Sequence, residues 1–182
     1  LGAAAFFFHT EGTVAENLGL VTLPSVQVVE AAPQAPQVLG VSVVNVSNAS
    51  ELSAALASAT GGETVVLANG NYGRNTINGK NYSSRVTIKA ANKDGAVFSR
   101  FDVNNSSNVT VEGIFVNPFG MTVNSGPLFQ LLNSQNVSFL NVRVESDTNA
   151  GTGFSIDSSK NVLIENSTIA SISNGVKIRK NS

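Results

Sequence analysis

One pattern constrains this chain more than any other. Val65-x-Leu67, Val86-x-Ile88, Val109-x-Val111, Val137-x-Phe139 and Val162-x-Ile164 repeat one alternation of two apolar residues, with starts 21, 23, 28 and 25 residues apart. Recurrence in one phase at spacings above about 20 residues marks a solenoid, in which each repeat forms one coil. The last three coils also agree in detail. Asn108, Asn136 and Asn161 open the strand, and Gly113, Asn141 and Asn166 stand at the turn that ends it. Phe101, Phe129 and Phe154 precede those opening asparagines at a constant interval, and Phe101-x-Val103, Phe129-x-Leu131, Phe154-x-Ile156 and Val176-x-Ile178 form a second ladder. A third short strand lies between, at Phe115 with Val116, at Val142 with Val144, and at Ile169. Three short strands per coil with polar bends predict an all-β fold, a right-handed parallel β-helix, with equivalent residues stacked at the strand spacing of ~4.8 Å. Val65, Val86, Val109, Val137 and Val162 should stack inside it, and Asn141 over Asn166 should form an amide ladder at a bend.

Composition agrees with this fold and narrows the chemistry. Charged residues are 13% of the 182, and Asn, Ser, Thr and Gly take their place, which suits tight turns and short strands better than long helices. The formal charge of −1 argues against a nucleic-acid footprint or a polybasic membrane patch, so neither partner is expected. With no Cys and one His, thiolate chemistry, His-based zinc sites and His-dependent triads are all but excluded.

Residues 1–40 read as a tail and linker, because Ala31 to Gln37 is rich in Pro, Gln and Ala. The β-helix domain is expected over 41–182. Residues 50–59 form the one convincing helix, with Leu52, Ala55, Leu56 and Ala59 on one stripe, Ser50 as amino cap and Gly61-Gly62 as stop. It should cover the open amino end of the solenoid core, as solenoids need for solubility. The Asn-x-Ser/Thr triplets at Asn48, Asn108, Asn136 and Asn166 are read as turn chemistry rather than as glycan acceptors.

The run from Ser47 to Tyr72, SNASELSAALASATGGETVVLANGNY, resembles the amino cap and first coil of secreted right-handed β-helix proteins that act on acidic polysaccharides. It is most similar to the alginate lyase and chondroitinase B family and to mannuronan C-5 epimerases. RVTIKAANKDGAVF and SSNVTVEGIFV continue the likeness, which covers roughly residues 41–182. The resemblance implies a secreted, extracellular or periplasmic protein with an anionic polysaccharide as partner. It also implies a binding cleft along the sheet led by Phe101, Phe129, Phe154 and Val176. The alternate positions of that sheet, Asp102 and Asn104, Gln130 and Leu132, Ser155 and Asp157, Lys177 and Arg179, should face solvent. The inserts 117–126, 145–152 and 170–174 should form a groove wall.

The implied chemistry is proton abstraction beside a uronate carboxylate. A cation must neutralise that carboxylate, and either calcium held by carboxylates or an Arg can do so. No protein-held metal site is otherwise read from the sequence, and calcium is the one cofactor the resemblance leaves open. Lys177 and Arg179 are the catalytic candidates, and Asp102, Gln130 and Asp157 the substrate-binding ones. The lyases' paired basic residues and acidic ligands, and the epimerases' Tyr/Asp/His cluster, lie in later coils than these. The chain is therefore expected to stop inside a coil and to have little activity alone. A non-catalytic polysaccharide-binding or adhesin-like solenoid, and a purely structural one, stay open beside the enzyme.

Overall fold

A computed structural model describes residues 42–118, 126–146 and 151–180. The expected tail over 1–40, residues 119–125 of the first groove-wall insert and residues 147–150 of the second lie outside these residues.

The first coil begins with β1 (Val43–Val46), followed by α1 (Ala49–Ser58), β2 (Thr64–Leu67) and β3 (Gly70–Asn78). β4 (Asn81–Ala90) and β5 (Ala96–Asn104) form the next coil. Three short strands per coil then follow: β6 (Ser107–Glu112), β7 (Phe115–Val116) and β8 (Pro127–Leu132), then β9 (Gln135–Leu140), β10 (Arg143–Glu145) and β11 (Thr152–Asp157). β12 (Lys160–Glu165), β13 (Thr168–Ala170) and β14 (Asn174–Arg179) close the described chain. All the pairings are parallel, and the fold is a parallel β-helix. Sheet one runs β1-β2-β4-β6-β9-β12. β3 and β5 are long enough to turn a corner: the first half of β5 pairs with β7 and its second half with β8. Sheet two is therefore the far halves of β3 and β5 with β8, β11 and β14, and sheet three their near halves with β7, β10 and β13.

The core is a set of columns. Val86, Val109, Val137 and Val162 stack in register, as expected. Val65 does not join them, since it lies against Ile88. A shift of two residues keeps every side chain on its own face, so Val65 is still fully buried. Phe101, Phe129 and Phe154 stack as the second ladder, the last two with rings 4.6 Å apart and nearly parallel. Phe139 meets both from sheet one, edge to face, at 5.0 and 5.2 Å. β14 lays Val176 on Phe154 and Ile178 on Ile156, which buries the inner pair and leaves the outer pair exposed.

Two bends among the described residues carry columns of three asparagines, and a single bond of the same kind, Asn92 Nδ2 to Asn69 Oδ1 at 3.0 Å, joins the bends after β2 and β4. Asn136 Nδ2 donates to Asn108 Oδ1 at 3.1 Å and Asn161 Nδ2 to Asn136 Oδ1 at 3.0 Å. Asn105 donates to Asn78, and Asn133 to Asn105, in a parallel column. The bend of Gly113, Asn141 and Asn166 does have positive φ throughout, at 70°, 55° and 50°. There the coils are joined by backbone, Asn141 N to Glu165 O, and the expected side-chain ladder forms instead in the other two columns. Those columns hold three asparagines each, whereas Gly113 contributes no amide.

α1 starts earlier than expected. Its amino cap is Asn48, not Ser50: Asn48 Oδ1 accepts from Glu51 N at 3.0 Å, and Glu51 Oε2 accepts in return from Ser47 N. That reciprocal pair satisfies donors at the helix start that Ser50, already inside the helix, cannot reach. Leu52 and Leu56 are buried against the first coil, and Tyr82 Oη donates to Leu56 O. Among the described residues no helix is long and apolar enough to cross a membrane.

Candidate functional site

The outer face of sheet two is built by strand parity. Inward residues alternate with outward ones, and register carries each outward residue onto its equivalent in the next coil. One column runs Thr76, Asp102, Gln130, Ser155, Lys177, and the next runs Asn78, Asn104, Leu132, Asp157, Arg179. Every candidate residue of the sequence reading thus lies on this one face, in two groups.

The first group is centred on Asp102. It points outward, as its parity requires, yet its side chain is only 1% exposed. Two guanidinium groups cover it. Arg100 Nε donates to Oδ1 at 2.7 Å, and Arg74 NH2 donates to Oδ2 at 2.8 Å. The expectation that Asp102 and Ser155 face solvent is therefore corrected: Asp102 is covered by the two arginines it holds, and Ser155, at 7% exposure, is buried beside Asp157. Arg100 also donates from NH2 to Gln130 Oε1 at 2.7 Å, so Asp102 and Gln130 are joined through it. Arg100 is largely covered and Arg74 is 61% exposed. A guanidinium held on both sides in this way is oriented, and its remaining N–H groups form a planar fork suited to a carboxylate.

The second group holds Asp157, Lys177 and Arg179. Arg179 NH1 lies 3.7 Å from Asp157 Oδ2, the pairing between neighbouring coils that the register requires. Ser155 Oγ is 3.5 Å from the same carboxylate oxygen. Lys177 is exposed and stands beside Ser155 in register. The first and second groups are not in contact through any bond described; Gln130 and Ser155 meet between them in neighbouring strands.

Arg74 and Arg100 escaped the sequence reading. Arg100 precedes Phe101 by one residue, and alternation backwards from Phe101 would have placed it outward on the same strand. β3 gave no such signal, because a register shift at Gly73, where φ is 60°, breaks its apolar period. A cleft of about 230 Å³ between α1 and β3 adjoins this face, lined by Ser53, Leu56, Asn75, Thr76, Asn78 and Lys80 among others.

The residues do not fit a bound calcium ion. Calcium takes roughly 6–8 oxygen ligands, and both carboxylates of this face already neutralise arginines. Among the described residues no group of three or more His, Cys, Asp or Glu could hold a metal ion.

No protein-family model matches the sequence, and no curated protein matches it. Among solved structures, a PL6 family polysaccharide lyase from Pseudopedobacter saltans is similar at 18% identity and a TM-score of 0.45, over 65% of this chain and 32% of that one. The PL6 family alginate lyase AlyGC is similar at 20% identity and a TM-score of 0.46, over 69% of this chain and 20% of that one. The chain thus spans about a third of the length of the first lyase and a fifth of the second.

Proposed function

We propose that the outer face of sheet two binds an acidic polysaccharide of the uronate class, as a module of a secreted, polysaccharide-lyase-like protein. The observation that carries this reading is the Arg74–Asp102–Arg100–Gln130 network, which holds arginine forks on the outside of a regular sheet. A core-forming role does not explain them, because the solenoid is already closed by the inward columns. The alternative use of such charges is solubility, but surface pairs that only solubilise have no need of an acid buried to 1% exposure.

If the face also carries out chemistry, the second group is where it occurs. Arg179 would neutralise the uronate carboxylate, making the adjacent ring proton acidic, and Lys177 would remove that proton. The electron pair left behind would form a ring double bond as the glycosidic C–O bond breaks and its oxygen takes up a proton. Asp157 orients Arg179 in that scheme.

The test uses the whole chain with a polyuronate such as alginate and a neutral glucan of similar length. Retention by the polyuronate alone, weakened by Arg74→Gln, is the expected result, and equal behaviour towards both polymers would overturn the reading. Ultraviolet absorbance of unsaturated uronate product in the same mixture separates a lyase from a binding module.

A further inference from the structure

The two groups have the same make-up. Arg74 and Arg100 surround Asp102, giving 2 − 1 = +1, and Lys177 and Arg179 stand with Asp157, giving 2 − 1 = +1. They stand at opposite ends of one face. From β5, which carries Arg100 and Asp102, to β14, which carries Lys177 and Arg179, there are three strand steps, so those two backbones lie ~14 Å apart across the sheet. Between them the outward residues are uncharged: Gln130 and Ser155 in one column, Asn104 and Leu132 in the other. Leu132 gives that middle stretch an apolar surface, on which the C–H face of a sugar ring can lie, with Gln130 beside it as a hydrogen-bonding group.

From this we infer that the face is a two-anchor clamp. It recognises a chain of uronates crossing the strands and held at both ends, and it does not recognise the single acidic sugar. The inference rests on the proposed uronate-binding role and adds the minimum form of the ligand. An exposed cation meeting one carboxylate in water is a weak contact, screened by salt. A chain that reaches the second anchor binds there intramolecularly, at an effective concentration set by the span. Affinity should then rise steeply at the chain length that bridges the gap, and be flat below and above it. Asp102 is a positioning residue in this arrangement, fixing the direction of the Arg100 and Arg74 forks.

Isothermal titration of the full chain with alginate oligomers, from the single sugar through successive lengths, reads this directly. The expected result is a gain on the order of a hundredfold or more once the oligomer spans both anchors. Arg74→Gln at one end and the pair Lys177→Gln with Arg179→Gln at the other all alter exposed side chains, so the fold is preserved. Each should return a long oligomer to the affinity of a short one, and combining them should remove the binding that remains. Measurable binding that does not depend on length, or that only one end's substitution weakens, would overturn the clamp while leaving the binding role standing. Absence of binding at every length would overturn both.

Discussion

Arg100 and Asp102 stand two residues apart on the outer side of β5, and Arg100 Nε donates to both oxygens of the Asp102 carboxylate, at 2.7 and 3.0 Å. Residues at that spacing on a strand share a face, and here the longer side chain folds back over the shorter one. The result is an outward acid that water does not reach.

That arrangement makes Asp102 costly to lose. Asp102→Ala leaves Arg100 without its main partner and should cost about 2 kcal/mol, the scale for losing hydrogen bonds to a charged group. Arg74→Gln, at an exposed side chain, should cost less than about 1 kcal/mol. Urea unfolding of the two variants, compared with wild type, checks the order.

The asparagine column predicts a different ranking. Asn136 makes ladder bonds to both neighbouring coils with φ at 55°. Asn136→Ala loses the bonds and leaves in the left-handed region a residue without the polar side chain that lets Asn occupy it, for a loss of about 2–3 kcal/mol. Asn136→Gly loses only the bonds and should cost about 1 kcal/mol. Denaturant midpoints in which alanine outperforms glycine would contradict the left-handed backbone there, and an Asn136→Gly midpoint equal to wild type would contradict the ladder.

Phe129 touches the rings of Phe101, Phe139 and Phe154. Phe129→Ala should cost about 3–5 kcal/mol, through lost transfer energy and the cavity left between stacked coils. Phe129→Leu fills most of that space and should cost clearly less. An unchanged denaturant slope with a lowered midpoint would assign the effect to stability alone.

Glu63 gives the turn after α1 an acid-sensitive element. Its carboxylate accepts from Thr60 N, Thr60 Oγ1 and Gly61 N, at 2.9, 3.1 and 2.8 Å. The Thr60 backbone bond does most to hold it below its ordinary value of 4.5, against the opposing effect of burial. A carboxyl depressed on folding stabilises fully above its unfolded pKa, and that contribution fades as pH falls through the lower folded value. The difference in melting temperature between wild type and Glu63→Gln should therefore be largest above pH 4.5 and shrink below it.

The columns of the solenoid were legible in the sequence because stacking repeats the same residue type in the same phase. Val86, Val109, Val137 and Val162 are in register for that reason. Where the coil changes length the period loses its hold: Val65 sits against Ile88, and β4 carries an irregularity between Asn81 and Val86. Parity survives such shifts, so the outward face was readable down to Asp157 and Arg179. Burial on that face was not, since it depends on how long side chains fold over their neighbours. Arg100 covering Asp102 is a matter of rotamer and register together. The helix cap was missed for a related reason, as Asn48 and Ser50 carry equal capping chemistry and only the partner Glu51 decides between them.

Amide chemical-shift mapping by nuclear magnetic resonance, with alginate oligomers added to the full chain, tests the central claim most directly. The account predicts perturbations at Arg100, Asp102, Gln130, Ser155, Lys177 and Arg179, all on the outer face of sheet two. Perturbations gathered instead on the outer face of sheet one, around Thr87, Thr110 and Ser138, or none at saturating oligomer, would contradict it.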